Sequence, residues 1–209
     1  AAHAAAMQMF TDDLGRTVSV PLHPQRIVSL HDLDITIPLI ELGVLPVASH
    51  GRTRADGTHT LRSSKLLTGV DFDNASIAYL GTADIDVEAI VAAKPDLIIT
   101  EPGRSVPVEQ LEKIAPTVSI DHLKGGPARI YSKLAALTGT QARLALLQAR
   151  YEAQIHQLQH AVDPRHITVA VMQAHNCKIN LMPCYYALVS VFRDAGSPFP
   201  PSIDNLLVA

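Results

Sequence analysis

The stretch Asp86–Thr100, "DVEAIVAAKPDLIIT", narrows the choice of fold more than any other part of the chain. Asp86 is a helix-capping residue type, and Glu88 falls in the first turn, where a carboxylate complements the helix dipole. Lys94-Pro95 stops the helix, because the residue before proline is pushed out of the helical region. Asp96–Thr100 then runs as an unbroken apolar strand rather than an alternating one. A strand without alternation is buried on both faces, which implies a mostly parallel sheet covered by helices.

The flanking sequence repeats this grammar. Arg26–Leu30 reads as a short buried strand and Ile35–Leu42 as a helix with Pro38 in its first turn, where a missing N–H is harmless. Gly43 suits the position just past that helix, and Val44–Ser49 reads as a second strand. Pro107–Ile114 is a further helix and Thr117–Ile120 a further strand. Upstream, Phe10–Val20 alternates and turns at Asp13-Leu14-Gly15, a small hairpin closed by Pro21 and Pro24. His50–Lys65 is polar and without period, and reads as a loop. The fold class is therefore α/β.

Gly125-Gly126-Pro127 opens a different region. Ala128–Ala161 is helical throughout, interrupted only at Thr138-Gly139-Thr140, with Leu134, Leu137, Leu144, Leu147, Tyr151, Ile155 and Leu158 at three- and four-residue spacings. At about 1.5 Å per residue such a helix spans roughly 50 Å, the length of a connector between two lobes. Asp163-Pro164 ends it. His166–Met172 reads as a strand, Asn176–Asn180 as a turn into another, and Tyr185–Asp194 as a helix closed by Gly196. The expected organisation is an N-terminal α/β lobe over 1–125, a connector helix over 126–162 and a partial C-terminal α/β lobe over 163–209. One β-β-α unit leaves strand edges open, and exchange of these segments in a homodimer would close them.

With 209 residues, 47% of them hydrophobic and 18% charged, the chain can bury a substantial core. A net charge of -3 and no basic stripe interleaved with aromatics exclude nucleic acid as a partner. No apolar run approaches the roughly 20 residues that span a bilayer. Ala2-His3-Ala4 reads either as an A-x-A pattern of the kind left by signal peptidase, which points to export, or as part of a plain alanine-rich tail. Two cysteines, Cys177 and Cys184, are too few for a disulfide framework or a structural zinc. They either pair across a hairpin in an oxidising compartment or remain separate thiols.

The chemistry concentrates where strands end. His31-Asp32-Leu33-Asp34 interrupts the first strand with an imidazole and two carboxylates. These serve a metal site, a catalytic group or the polar mouth of a ligand cleft, while Asp34 also suits a helix cap. A metal reading needs His31 and Asp32 joined by a distant His or Glu; no HxH or HxxH pair supports it. Neither GxSxG nor a Walker motif is present, so no catalytic constellation emerges. Arg52 and Arg54, in the polar stretch after the second strand, offer paired donors for an anionic ligand. Tyr79, beside Asn74 and Ser76, offers an aromatic face. Arg104 follows the DLIIT strand and Glu101. Further along, His175, Asn176, Tyr185, Tyr186 and Arg193 are cleft candidates.

The segments "FTDDLGRTVSVPLHPQRIVSL", "LIELGVLPVAS", "DIDVEAIVAAKPDLIIT" and "VEQLEKIAPTV" stand in order over most of residues 10–120. Together they resemble the periplasmic substrate-binding proteins of ABC importers, in the class whose lobes are joined by a single long helix. That class takes ferric siderophores, haem and cobalamin, and the chain is most similar to enterobacterial iron-compound binders. The resemblance implies a two-lobed α/β fold, a periplasmic location and no enzymatic activity or cofactor. Ligand would sit outside the carboxyl ends of the strands, against His31, Asp32, Arg52, Arg54, Tyr79, Arg104, Tyr185 and Arg193. It implies a ferric siderophore as the ligand, with haem, cobalamin or free Mn²⁺ or Zn²⁺ as alternatives. An inner-membrane permease would be the protein partner, docked through Glu109. Relative to the family, the second lobe is short.

Overall fold

A computed structural model describes residues 6–181 and 187–200. The chain divides into two compact units, one running through His122 with Ile130–Arg143, the other made of Leu123–Arg129 and the chain from Leu144 on.

The first unit opens with an antiparallel hairpin, β1 (Met7–Thr11) and β2 (Thr17–Pro21). The buried Asp12 carboxylate organises its turn by accepting from the backbone N–H groups of Leu14 and Arg16, and it ties the hairpin to the sheet by accepting from Ser119. Then come β3 (Ile27–Ser29), a π-helical turn over Asp32–Thr36, α1 (Ile37–Glu41) and β4 (Ala48–Ser49). A small antiparallel hairpin, β5 (Arg52–Thr53) and β6 (His59–Thr60), leads to α2 (Ser64–Thr68) and β7 (Ala78–Tyr79). Next are α3 (Val87–Ala92), β8 (Leu97–Thr100), α4 (Val108–Leu111) and β9 (Thr117–Ser119). The main sheet runs β7-β4-β3-β8-β9, every neighbouring pair parallel. All four residues of β8 are buried, as its unbroken apolar run requires. Val28, Leu30, Ala48, Ile90, Ile98 and Leu111 pack together as core. The cap of α3 forms as expected, the Asp86 carboxylate accepting from Ala89 N–H at 3.0 Å.

Several expectations are corrected. The turn into α1 starts at Asp32 rather than Ile35, because the His31 carbonyl accepts from both Ile35 and Thr36 N–H. Buried hydroxyls of Ser29, Thr36 and Ser49 lock it there, at 2.7 and 2.6 Å. The stretch His50–Lys65 is not a bare loop: it holds β5, β6 and the first turn of α2. Its strands are two residues each and largely exposed, so no buried face imposes a readable period.

The long helical region is two helices, α5 (Gly126–Thr138) and α6 (Gln141–Ala161). They part at Gly139, whose φ of +68° favours glycine. Ile130, Leu134, Ala135 and Leu137 of α5 are buried, whereas α6 buries no residue.

In the second unit, β10 (Met172–His175) and β11 (Lys178–Leu181) form an antiparallel hairpin. Asn176 and Cys177 turn it with φ of +50° and +58°, the left-handed pair of a type I′ turn. The strand expected over His166–Met172 begins only at Met172. Asp163 instead caps a 3₁₀ turn over Pro164–His166 and pairs with Arg165. α7 (Ala187–Ala195) follows and buries Val189 against Phe199, Val169 and Val171. Gly196, at φ +93°, ends it.

Gly81 tests the strain in the first unit. Its φ is +112°, and a Cβ there would lie 2.0 Å from the Asp84 carbonyl oxygen. Gly81→Ala is expected to destabilise the fold by about 1–3 kcal/mol. A urea melt with an unchanged midpoint would show that the loop relaxes freely.

Candidate functional site

The strand order reverses between β3 and β8: β4 and β7 lie on one side, β8 and β9 on the other. In open parallel sheets ligands bind outside the carboxyl ends of the strands at such a point. The residues leaving those ends here are polar. His31 follows β3, His50 follows β4, Glu101 follows β8 and His122 follows β9.

These residues converge. The His31 ring stacks on His50 at 5.7 Å between centroids and on His122 at 5.5 Å. Asp32, fully buried, receives Arg62 Nε at 3.0 Å, Arg62 Nη2 at 2.7 Å and the Arg62 backbone N–H at 3.1 Å. His50 Nδ1 lies 3.2 Å from the same carboxylate. Burial opposes ionisation of Asp32, but the hydrogen bonds from His50 and Arg62 and the guanidinium charge outweigh it. They hold its carboxyl well below the usual range. Burial likewise opposes ionisation of Asp34, and His31 chiefly outweighs it. Glu101, also buried, pairs with Arg104 and with His122 Nδ1 at 2.8 Å.

The His31 ring is engaged at both nitrogens. Arg62 Nη2 lies 2.8 Å from His31 Nε2, and a guanidinium can only donate. The Asp34 backbone N–H donates to Nδ1 at 3.1 Å, so both ring nitrogens meet donors. Nδ1 also lies 3.1 Å from Asp34 Oδ2 and 3.6 Å from Glu101 Oε2. His31, Asp34 and Glu101 bring one ligand-type atom each within 4.8 Å of one another. A metal on Nδ1 would need the proton on Nε2, donated outward, as metal-bound histidines arrange it. Arg62 faces Nε2 at 2.8 Å and can only donate, which works against such an arrangement.

The sequence candidates fall into separate groups. His31, Asp32 and Arg104 meet in this centre, with both Arg62 and Arg104 committed to carboxylates. Arg52 and Arg54 lie on the exposed β5–β6 hairpin. Arg54 donates to Thr60 Oγ1 at 3.1 Å, and Arg52 has no side-chain partner among the described residues. Tyr79 is covered by His59, stacked at 3.7 Å and 10°, with Phe72 edge-on at 5.6 Å. Its hydroxyl meets Thr53 and Thr82, so the open aromatic face of the pair belongs to exposed His59. Glu109 is exposed in the first turn of α4. In the second unit, Arg193 lies over the Phe199 ring at 5.3 Å. Cys177 is an exposed free thiol in the β10–β11 turn; Cys184, Tyr185 and Tyr186 lie outside the described residues.

Sequence reasoning missed the roles of His50, Arg62 and His122. A local signal existed: "VSLH", "VASH" and "VSIDH" each carry a buried serine near a strand end and then a histidine.

Comparison with known proteins bears on what this sheet edge serves. The profile of the family described as periplasmic binding protein matches residues 58–190. The chain belongs to that family. No curated protein sequence matches it. Among solved structures, Staphylococcus aureus SirA complexed with staphyloferrin B is similar with a TM-score of 0.77 at 20% identity, covering 96% of this chain and 67% of that one. The FhuD protein from S. pseudintermedius gives 0.75 at 19% identity, covering 97% and 70%. Holo-ViuP gives 0.74 at 18% identity, covering 92% and 65%. At these identities the likeness establishes a shared fold. The chain spans about two thirds of the length of these proteins.

Proposed function

We propose that this protein captures a ferric siderophore outside the cytoplasmic membrane and delivers it to the permease of an ABC importer. The observation that carries the reading is the division of labour among arginines at the carboxyl edge of the sheet. Arg62 and Arg104 are spent on buried carboxylates, whereas Arg52 and Arg54 stand exposed beside the His59–Tyr79 stack. Exposed guanidinium forks beside a flat aromatic face suit a large anionic chelate with planar groups. Iron stays inside the chelate and needs no protein ligand. Support comes also from the family and from SirA, whose structure holds staphyloferrin B. Exposed Glu109, with no ion-pair partner among the described residues, is the candidate contact for basic groups of the permease.

Calorimetric titration with a panel of ferric siderophores, their iron-free forms, haem, cobalamin, Mn²⁺ and Zn²⁺ tests the reading. The expected result is micromolar or tighter binding of at least one ferric chelate and none of the free divalent ions. Binding of haem or cobalamin alone would redirect the assignment within the family, and binding of free Zn²⁺ that is lost in His31→Ala would replace the chelate reading with a metal site.

A further inference from the structure

The functional reading leaves α6 unused, although the helix runs from Gln141 to Ala161 without glycine or proline. Near its end stand His156 and His160, two imidazoles four residues apart. At 3.6 residues per turn, such a pair lies one above the other on one face, with Cβ atoms about 5–6 Å apart. That separation lets one nitrogen of each ring reach a single small ion at about 2 Å. Helical i, i+4 histidines are a recurring metal-binding spacing for this reason.

The face that carries them is open. His156, His160 and Glu152, a turn earlier in the same row, are exposed, and none has a hydrogen-bond or ion-pair partner among the described residues. Ala149 and Ala153 share that face and leave it uncrowded. The helix turns its other side to α7: Tyr151 donates to Asp194 at 2.6 Å, Gln159 to the Ala195 carbonyl at 3.1 Å, and Ile155 and Leu158 are half-buried. At about 100° per residue, the two histidines lie roughly 100–140° from the middle of that packed side. Arg150 stands about 120° round the helix from His156, off the row. Beyond the helix end, Asp163 is taken by Arg165. At the sheet edge both nitrogens of His31 already meet donors, whereas the two rings on α6 keep theirs for a ligand. Exposed side chains change rotamer in picoseconds to nanoseconds, so the pair assembles around an ion without disturbing the fold.

Two imidazoles also select among ions. Mn²⁺ prefers oxygen ligands and stands lowest in the affinity order for divalent first-row metals. Zn²⁺ would have only half of its tetrahedron filled. Cu²⁺ heads the order, and its tetragonal geometry accepts two nitrogens with water in the remaining positions. We propose that His156 and His160 form a surface site for Cu²⁺, with Ni²⁺ as the weaker occupant and the Glu152 carboxylate adding negative charge to the same row. The bound ion bridges one turn and pins α6 toward its C-terminal end. The site belongs to the second unit and does not rest on the chelate reading.

The test is hydrogen exchange of residues 156–161 as copper(II) chloride is raised stepwise. Opening this turn separates the two ligands, so an ion that binds only the closed turn slows exchange by the factor 1 + [Cu²⁺]/Kd, about tenfold at ten times Kd. Wild type is expected to show that slowing. His160→Ala, a change at an exposed position, should fold like wild type and show none. His160→Ala combined with Ala161→His keeps the number of histidines but turns the second ring to another face, and it should show none either. Mn²⁺ at the same concentration should leave wild type unchanged. Wild-type exchange indifferent to copper would overturn the site. So would slowing that survives in either variant, or an equal effect of Mn²⁺. The readout is local to α6, so copper held by other histidines does not mimic it. The calorimetric panel above contains neither copper nor nickel, so this inference and the chelate reading fail separately.

Discussion

Asp32→Ala is expected to destabilise the first unit by about 3–5 kcal/mol, the range for breaking a buried ion pair by removing one partner. The change strands the Arg62 guanidinium and His50, both aimed at a carboxylate with no exposed surface. For a chain of this size that corresponds to a melting temperature lower by roughly 10 °C. Asp32→Asn keeps the shape and loses the charge, so it should fall between. The pH dependence has a definite sign. The folded carboxyl is held below its ordinary value, so its contribution is present above the unfolded value of about 3.9 and disappears as pH falls toward the folded value. Wild type should therefore lose stability below about pH 4, and Asp32→Asn should lose less over the same range. Melts of both proteins at stepped pH would check this; parallel curves would show that Asp32 does not govern acid unfolding.

Replacing Arg52 and Arg54 together is expected to weaken ferric-siderophore binding at least a hundredfold, taking each charge-assisted hydrogen bond as about ten- to hundredfold. Both side chains are exposed and neither supports the core, so the double variant should melt like wild type. Calorimetry at two salt concentrations would add a second check, because losing two exposed charges should flatten the salt dependence. Lysine at both positions should restore only part of the affinity, since an ammonium lacks the planar fork. An unchanged dissociation constant in the alanine variant would remove the hairpin from the binding surface.

The layered α/β architecture was legible because burial on both faces leaves a signature in neighbouring residues. Leu97, Ile98 and Ile99 can only be a central strand, and Asp86 can only begin what precedes them. The break at Gly139 was legible for a similar local reason. What stayed hidden was whatever depends on distance. His31 and Asp32 stood out as polar residues at a strand end, yet nothing adjacent announced that Arg62 would reach back to them. His50 and His122 are ordinary residues until four parallel strands bring their ends to one edge. Arg62 looked like one more charge in a polar stretch, because its partner lies 30 residues upstream. The short hairpin was missed because its strands bury no face, and a period needs a buried face to be visible.

The same topology has a kinetic side. The central strand β3 lies between β4 and β8, and its start is fixed by the Asp96 carboxylate, 70 residues away from Arg26. The opening hairpin is held by a bond from Ser119 to Asp12, 107 residues apart. The hairpins β1–β2 and β5–β6 can form locally, but the parallel sheet cannot complete its hydrogen bonding until the chain has passed residue 119. Closing such loops comes before any reward from burial, which places folding among slow, non-local cases of about milliseconds to seconds. A nascent chain would thus keep this sheet open until β9 has emerged, and the unit takes its shape only afterwards.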